Sequence, residues 1–367
     1  MWPTRMPVPL RRRIGQLLFG SFAGRTVPVE LAALAREFDL GGVTLFARNV
    51  ESPEQVLDLS LTIEGLGTEA PAWVAVDQEG GRVARLRAPF TVWPPMAALG
   101  RADMPGLAER FARALAAELQ AVGVTLDFAP VLDVLTNAKN PAIGDRALSD
   151  DAARVGDLGA TIVRALQGGG VAACGKHFPG HGDTSVDSHH DLPVVDHAPD
   201  RLRAVEFVPF RAAIAAEVAC VMTAHVVVPA LDETRPATLS PAVVPLIKQE
   251  LGHRGMVVSD DLDMQAVAAR WSPPDAAVMA VAAGCDAVLV CSGDVDQQAA
   301  TLEALVKAVE SGRIPHARLD DAHARITRQK ARFLGPRPPA RERLRTWKAV
   351  VGCEAHQLVA AEMAAFA

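Results

Sequence analysis

The chain has 367 residues, of which 50% are hydrophobic and 22% charged, so it can bury a large core and is not a disordered protein. Its formal net charge of −6 argues against nucleic acid or an anionic membrane as a partner, because both attract a basic surface. No run of about 18 uncharged apolar residues is present, which argues against a helix that spans a bilayer.

The first 24 residues contain a basic cluster, Arg11 to Arg13, followed by an apolar run. In a secretory signal the basic residues come first and the apolar run is unbroken, whereas this run contains Gln16 and Gly20. We therefore predict that the segment is not an export signal and that residues 17–22 form the first core strand. The five cysteines are scattered and form no CxxC pair, which favours free thiols in a reducing compartment, the cytoplasm.

Eight short apolar runs then follow one another along the chain. Continuous apolar runs are typical of parallel strands that are covered on both faces. Helical patterns lie between most of them, including 105–123, 150–170 and 240–252, with Ser149 and Ser240 as predicted N-caps. The apolar runs are residues 17–22, 43–47, 73–78, 126–131, 171–176, 218–225, 256–261 and 287–292.

Eight strands that alternate with helices predict an α/β fold, a (β/α)8 TIM barrel. An open doubly wound sheet is the alternative, but it usually carries a Gly-rich phosphate turn after its first strand, and the sequence has none there. The catalytic barrel is expected over residues 1–334. Residues 335–367 are expected to form a linker rich in proline and arginine and one amphipathic terminal helix.

Titratable residues stand where four of the predicted strands end. Asp77 ends the third strand, Lys176 the fifth, His225 the sixth and Asp260 the seventh. In a barrel the carboxyl ends of all strands meet around one mouth, where active sites are built. The four residues are therefore predicted to share a site.

The densest polar segment is GKHFPGHGDTSVDSHH, residues 175–190, which contains four histidines and two aspartates. One interpretation is a metal site, but the spacing fits no compact zinc pattern, and a proline and a glycine interrupt HxxxH where a helix would be needed. We therefore predict no metal and keep a metal-dependent hydrolase as an alternative. The candidate ligands are His177, His181, Asp183, His189, His190 and Asp191.

The favoured interpretation is glycoside hydrolysis with retention of configuration. That reaction needs an ionised carboxylate to attack the sugar carbon and a second group to protonate the leaving oxygen. Asp260, at the tip of a buried strand, suits the first role. His189 suits the second, because the pKa of histidine is about 6.5 without any perturbation, and Asp187 in the same DSH motif can orient it.

Three segments together resemble the family-3 glycoside hydrolases, and within them the bacterial β-N-acetylglucosaminidases that recycle peptidoglycan. The segments are VDQEGGRV (76–83), KHFPGHGDTSVDSHHDLP (176–193) and VVSDDLDM (257–264). The likeness extends from about residue 14 to about residue 330. It implies that Asp260 is the nucleophile, with adjacent Asp261 as a rival on chemistry alone. It also implies that Asp187 and His189 form a dyad in which the histidine acts as acid and then as base.

The resemblance implies further roles in substrate binding. Asp77 matches a residue that binds sugar hydroxyls, and Lys176 and His177 match a substrate-binding pair. Arg146, in NPAIGDRALSDD, matches an arginine that contacts the sugar. No metal or organic cofactor is implied, and the expected partner is a carbohydrate, bound by a monomer.

Other polar residues are expected to support the site. Glu79 and Arg82 are close in sequence and are predicted to form an ion pair, while His225 is predicted to line the pocket floor. Structural hydrogen bonding is expected for Asp127, Asp133, His181 and Asp183.

The predicted function is a retaining exo-β-N-acetylglucosaminidase that acts on GlcNAc-capped muropeptides. A phosphorylase that uses the same site is a close alternative, because phosphate could intercept the glycosyl-enzyme beside a neutral or cationic histidine. A sugar-binding protein without activity is a further alternative. The tail resembles the first helix of the second domain in two-domain relatives, which leaves a vestigial tail and a shortened chain both open.

Overall fold

Eight parallel strands close into a barrel in the computed structural model, which describes residues 8–188, 192–335 and 346–367. Each strand pairs with the next along the chain, and the last pairs with the first. The predicted (β/α)8 barrel is therefore confirmed. The strands are β1 (Leu18–Gly20), β2 (Gly42–Leu45), β3 (Trp73–Val76), β4 (Leu126–Asp127), β5 (Ala172–Phe178), β6 (Cys220–Thr223), β7 (Met256–Asp261) and β8 (Ala287–Leu289).

The barrel strands are buried almost throughout, as continuous apolar runs require. Only two of their residues, Asp260 and Asp261 at the carboxyl end of β7, are half-buried. Two short hairpins extend the barrel at its carboxyl end. One follows β3 and pairs Gln78–Gly80 with Val83–Ala84, and the other follows β6 and pairs Val227–Val228 with Asp232–Pro236.

Helices surround the barrel, and several of them, including Pro53–Glu64, Ala152–Gly168 and His316–Phe333, pack directly against its strands. Among the described residues the α-helices are Leu10–Gly15, Val29–Phe38, Pro53–Glu64, Ala97–Ala102, Pro105–Ala121, Ala152–Gly168, Pro199–Ala204, Phe207–Ala215, Val244–Gln249, Gln265–Ala268, Pro273–Ala283, Val295–Glu310, His316–Phe333 and Glu354–Ala364. Short 3-10 helices lie at Ala47–Asn49, Gly144–Arg146, Ala237–Leu239 and Trp347–Ala349. No helix in these described ranges is long and apolar enough to cross a membrane.

Two predicted helix starts were wrong. The helix predicted from 150 begins after Asp151, whose side chain accepts a hydrogen bond from the backbone N–H of Arg154, so Asp151 and not Ser149 is the N-cap. The helix predicted over 240–252 is shorter, Val244–Gln249. A helix that began at residue 241 would place Pro245, which has no N–H, beyond its first turn, so the chain forms a turn there first.

The terminal segment, which we define as residues 346–367, folds back onto the barrel. Its helix, Glu354–Ala364, packs against the helix Pro105–Ala121 and buries Met363 completely. Glu362 forms an ion pair with Arg110 of that barrel helix, with 2.6 Å between Oε1 and Nη2. Residues 336–345 of the predicted linker lie outside the described residues.

Candidate active site

A cavity of about 420 Å³ lies at the carboxyl ends of the barrel strands. Its wall contains side chains from β2, β5, β6, β7 and β8 and from the segments that follow β2, β3, β4, β5, β7 and β8. Six of the seven predicted site residues line it, namely Asp77, Arg146, Lys176, His177, Asp187 and Asp260. The seventh, His189, lies outside the described residues. Topology therefore brings together residues that are up to 183 positions apart, as the common barrel mouth predicts.

Three charged residues of the cavity wall, Asp77, Arg146 and Lys176, form a cluster with buried Glu79. Glu79 accepts two hydrogen bonds from Arg146, at 2.8 and 2.9 Å, and lies 2.6 Å from Nζ of Lys176. The same Lys176 ammonium donates to Asp77 at 2.8 Å. Burial opposes the charge of Glu79, but Arg146 and Lys176 outweigh it and hold the pKa of this carboxyl well below its ordinary value. Burial likewise opposes the charge of Lys176, while Asp77 and Glu79 raise its pKa.

The predicted ion pair of Glu79 with Arg82 was wrong. Gly80 and Gly81 both have positive φ and turn the chain between the two residues. Glu79 consequently contacts the barrel interior. Arg82 instead extends over the surface, where it lies 3.4 Å from Asp145 and donates to the carbonyl of Ala142.

His177 is held by a buried aspartate, Asp133. The ring Nδ1 lies 2.7 Å from Asp133 Oδ2, and the other carboxylate oxygen accepts the backbone N–H groups of His177 and His181. Burial raises the pKa of Asp133, but the nearby His177 outweighs it, so the pKa is below its ordinary value. An ionised Asp133 only accepts hydrogen bonds, which makes Nδ1 the donor and leaves Nε2 of His177 for the cavity.

The loop that follows β5 is braced by His181, as expected. Its Nδ1 lies 2.7 Å from Thr184 Oγ1, and its Nε2 lies 3.2 Å from Ser188 Oγ. Burial lowers the pKa of His181, so the ring is neutral at neutral pH. Ser188 and Asp187 line the cavity beside it. This loop thus carries one member of the predicted catalytic dyad into the cavity wall.

Asp260 and Asp261 lie side by side on the cavity wall but differ in charge. Burial raises the pKa of Asp260, but His225 and His177 outweigh it, so the pKa lies below its ordinary value and the carboxylate is ionised. Burial and then Asp263 raise the pKa of Asp261 to about 8. Neutral pH therefore leaves a charged carboxylate at Asp260 and a protonated one at Asp261.

His225 was predicted to line the pocket floor, but this was wrong: its side chain is fully buried and does not line the cavity. Its Nδ1 is 2.9 Å from Thr238 Oγ1, and its Nε2 is 2.9 Å from the carbonyl oxygen of Asp261. Both ring nitrogens are thereby used within the fold. His225 affects the site electrostatically, because it lowers the pKa of the Asp260 carboxyl.

The structure leaves the metal alternative open. Across residues 8–188, 192–335 and 346–367, no group of three or more His, Cys, Asp or Glu side chains is arranged to hold a metal ion. Three of the six candidate ligands, His189, His190 and Asp191, lie outside those ranges.

Comparison with known proteins identifies the family. Residues 9–329 match the glycosyl hydrolase family 3 N-terminal domain. The chain belongs to glycosyl hydrolase family 3. The resemblance predicted from the three sequence segments, to the family-3 glycoside hydrolases, is thus confirmed.

Similar proteins cover most of this family-3 chain. Beta-hexosaminidase A of Pseudoalteromonas piscicida is 34% identical over 366 residues, 92% of this chain, which spans only 60% of that relative. The beta-hexosaminidase of Nitrosomonas eutropha is 39% identical over 287 residues, 76% of this chain and 82% of its own length. The structure of a glycoside hydrolase family 3 beta-N-acetylglucosaminidase from Paenibacillus sp. str. FPU-7 matches with a TM-score of 0.92 and 39% identity, covering 98% of this chain and 69% of that one.

The partners of two supporting residues of this family-3 site were not predicted from the sequence. Glu79 was assigned to the wrong partner, and Asp133 was expected to make structural hydrogen bonds without a link to His177. The partners are 67 positions apart for Glu79 and Arg146 and 44 apart for Asp133 and His177. The available signal was position alone, because Glu79 follows β3 and Asp133 follows β4 at the barrel mouth.

Proposed function

We propose that this family-3 chain is a retaining exo-β-N-acetylglucosaminidase that hydrolyses terminal, non-reducing β-linked GlcNAc. The observation that carries the proposal is an ionised Asp260 in one cavity with the cluster of Asp77, Arg146 and Lys176. A charged carboxylate beside fixed donors and acceptors suits attack on a bound sugar. The names of the relatives, beta-hexosaminidase and beta-N-acetylglucosaminidase, support the same sugar.

The reaction follows from a nucleophile and a proton donor. In the first step Asp260 attacks the anomeric carbon, the glycosidic bond breaks, and the leaving oxygen takes a proton from His189, which Asp187 orients. In the second step the histidine accepts a proton from water, whose oxygen displaces Asp260, and GlcNAc leaves with its original configuration. Support for the dyad is that Asp187, two residues before His189, lines the same cavity as Asp260.

The charged cluster would hold the sugar by its hydroxyl groups. Asp77 accepts hydrogen bonds, while Lys176 and Arg146 donate them, so adjacent hydroxyls find both kinds of partner. His177 offers Nε2, because Asp133 occupies its other ring nitrogen. These bonds fix the anomeric carbon against the nucleophile, which is the main contribution of positioning to the rate.

For the natural substrate we propose a GlcNAc-capped muropeptide fragment processed in the cytoplasm by a monomer without a metal or organic cofactor. The support is the resemblance of the three sequence segments to recycling enzymes and the free cysteines among the described residues. To test this, muropeptide fragments are incubated with the protein and the release of free GlcNAc is measured.

Hydrolysis of p-nitrophenyl β-GlcNAc, run beside the glucoside, tests the activity. Asp260→Ala should all but abolish turnover, whereas Asp261→Asn, which mimics a protonated side chain, should keep most of it near neutral pH. A fluorinated sugar should label Asp260. Full turnover by Asp260→Ala, or a label on Asp261, would contradict the assignment.

The same assay separates the alternatives. Loss of activity with EDTA and its return with a metal would identify a metal-dependent hydrolase. Formation of GlcNAc 1-phosphate in phosphate buffer would identify a phosphorylase, and binding of GlcNAc without release of nitrophenol would identify a binding protein.

A further inference from the structure

One buried carboxylate, Glu118 of the helix Pro105–Ala121, joins the terminal segment to a loop near the site. Its Oε1 accepts from Thr91 Oγ1 at 2.6 Å, from the N–H of Gly352 at 2.9 Å and from His356 Nδ1 at 2.9 Å. Its Oε2 accepts the N–H of Thr91 at 3.0 Å. The two oxygens of this carboxyl group thus contact three residues, Thr91, Gly352 and His356. Glu118 therefore links residues more than 250 positions apart in the chain.

Thr91 belongs to the loop of residues 85–96, which packs against the hairpin after β3. The amide side chain of Gln78 in that hairpin makes hydrogen bonds with both the N–H and the carbonyl of Leu86, at 2.9 and 2.7 Å. At the turn of the hairpin, Gly81 donates its N–H to the carbonyl of Trp93 at 2.9 Å. A shift of the loop would therefore move the hairpin.

The loop also contacts the terminal segment directly. A Cβ atom built on Gly352 would lie 2.1 Å from the carbonyl oxygen of Pro89, so the two backbones pack without room for a side chain. Gly352 has a φ of +63°, which favours glycine as well. The terminal segment, Glu118 and the loop thus form one packed unit.

The hairpin directly follows Asp77, which is proposed to hold the sugar, and it carries Glu79. Gln78 stands between Asp77 and Glu79, which fix Lys176 and Arg146 through the buried ion pairs of the cavity wall. Because buried ion pairs depend steeply on geometry, a small shift of the hairpin would disturb the hydroxyl-binding groups. Asp260, on β7, lies on a different element and would not move with the hairpin.

We propose that Glu118 and the terminal segment form a brace that positions the hairpin after β3, and with it Asp77 and Glu79, with Thr91 and His356 as positioning residues for substrate binding. This inference rests on the proposed function. It assigns the terminal segment to the working catalytic unit rather than to a separate domain.

The test compares Thr91→Val and His356→Ala with wild type in the full chain. Each variant loses one hydrogen bond of the brace, which should raise KM for p-nitrophenyl β-GlcNAc about three- to tenfold. The kcat should change less than about twofold, because the nucleophile is untouched. Thr91→Ser keeps both bonds to Glu118 and should restore the wild-type KM.

Arg113→Ala is the matched control on the same helix as Glu118. Arg113 is exposed and pairs with Glu109 one turn away rather than with the terminal segment, so its removal should leave KM unchanged. Glu118→Ala removes all four bonds and should have the largest effect. If that variant does not fold, the two milder variants still decide the question.

Hydrogen exchange over residues 78–96 gives a reading that does not depend on activity. Exchange there should rise in Thr91→Val and His356→Ala and stay unchanged in Arg113→Ala. The brace would be refuted if both KM and hydrogen exchange stayed unchanged in these variants, even if their melting temperature fell. A wild type that turns over no β-GlcNAc would refute the proposed function, while the exchange measurement would still decide whether the brace exists.

Discussion

Replacing Glu79 with glutamine should weaken both the fold and substrate binding. The Glu79 side chain is 1% exposed and stands between the guanidinium of Arg146 and the ammonium of Lys176. Glutamine keeps the volume of glutamate but loses the charge. Its amide NH2 would also face N–H donors where a carboxylate oxygen now accepts.

The magnitude follows from the contacts. Removing one partner of a buried ion pair typically costs about 3–5 kcal/mol, because the remaining charge is left in the interior. Lys176 retains Asp77 at 2.8 Å, so the loss falls mainly on Arg146 and we expect about 3–4 kcal/mol. Against a total stability of about 5–15 kcal/mol, the variant should still fold.

The pH dependence of this loss is also defined. The pKa of Glu79 in the fold is lower than its reference value of 4.5, so the stabilisation is fully present above about pH 4.5 and is lost as pH falls through the folded value. The difference in unfolding free energy between wild type and Glu79→Gln should therefore be constant from about pH 6 to 8 and shrink in acid.

Urea denaturation of both proteins, followed by tryptophan fluorescence, measures the loss, and KM for p-nitrophenyl β-GlcNAc should rise at least about tenfold. The matched control is Arg82→Ala, which removes an exposed ion pair with Asp145 at 3.4 Å and should cost less than about 1 kcal/mol. A loss below about 1 kcal/mol in Glu79→Gln with an unchanged KM would refute the reasoning.

Two further predictions concern single positions. Burial lowers the pKa of Lys330 to about 7 in the folded chain, against 10.5 in the unfolded chain. Between these pH values only the unfolded chain holds the proton, so the stability of the fold falls as pH is lowered. In urea unfolding, the stability of Lys330→Met relative to wild type should therefore be about 3 kcal/mol more favourable at pH 6.5 than at pH 9.5. Gly182→Ala would place a Cβ 1.8 Å from the carbonyl oxygen of Val134, so kcat/KM should fall at least about tenfold, whereas Gly168→Ala, with open space at the Cβ, should lose no activity.

The barrel could be predicted because its signal is local and repeated. Each of the eight strands is a continuous apolar run of the kind that burial on both faces requires, and the chain order of strands and helices leaves few possible topologies. Because the carboxyl ends of all barrel strands meet at one mouth, Asp77, Lys176 and Asp260 could then be placed together without knowing any distances. Boundaries were less predictable, as Ser149 shows, because several residues in a row could act as caps.

The pairing of buried charges could not be predicted, since it depends on where loops cross. Glu79 was paired with Arg82, three positions away, whereas two glycines with positive φ turn the chain between them and Arg146 arrives from another loop. The link from Glu118 to His356 spans 238 positions and has no local pattern at all. Such contacts become visible only when the backbone path is known.

The choice between the two adjacent aspartates follows from where their side chains lie. Ser259 and Asp261, two positions apart, both accept hydrogen bonds from backbone N–H groups of the neighbouring strand and its extension, at Leu289 and Cys291. The Asp260 carboxylate instead accepts the backbone N–H of Asp261, with 2.8 Å between Oδ1 and N.

The groups around the two side chains set their charges. Asp260 lies in the field of His177 and His225, which favours its ionised form, whereas Asp261 lies beside Asp263, which disfavours a second negative charge. A nucleophile must be ionised at the pH of the reaction, and a neighbouring neutral acid leaves its charge unopposed. The electrostatics of the fold thus favour Asp260 on grounds that are independent of the sequence motif. A labelled sugar on Asp261, the aspartate with the higher pKa, would contradict this assignment.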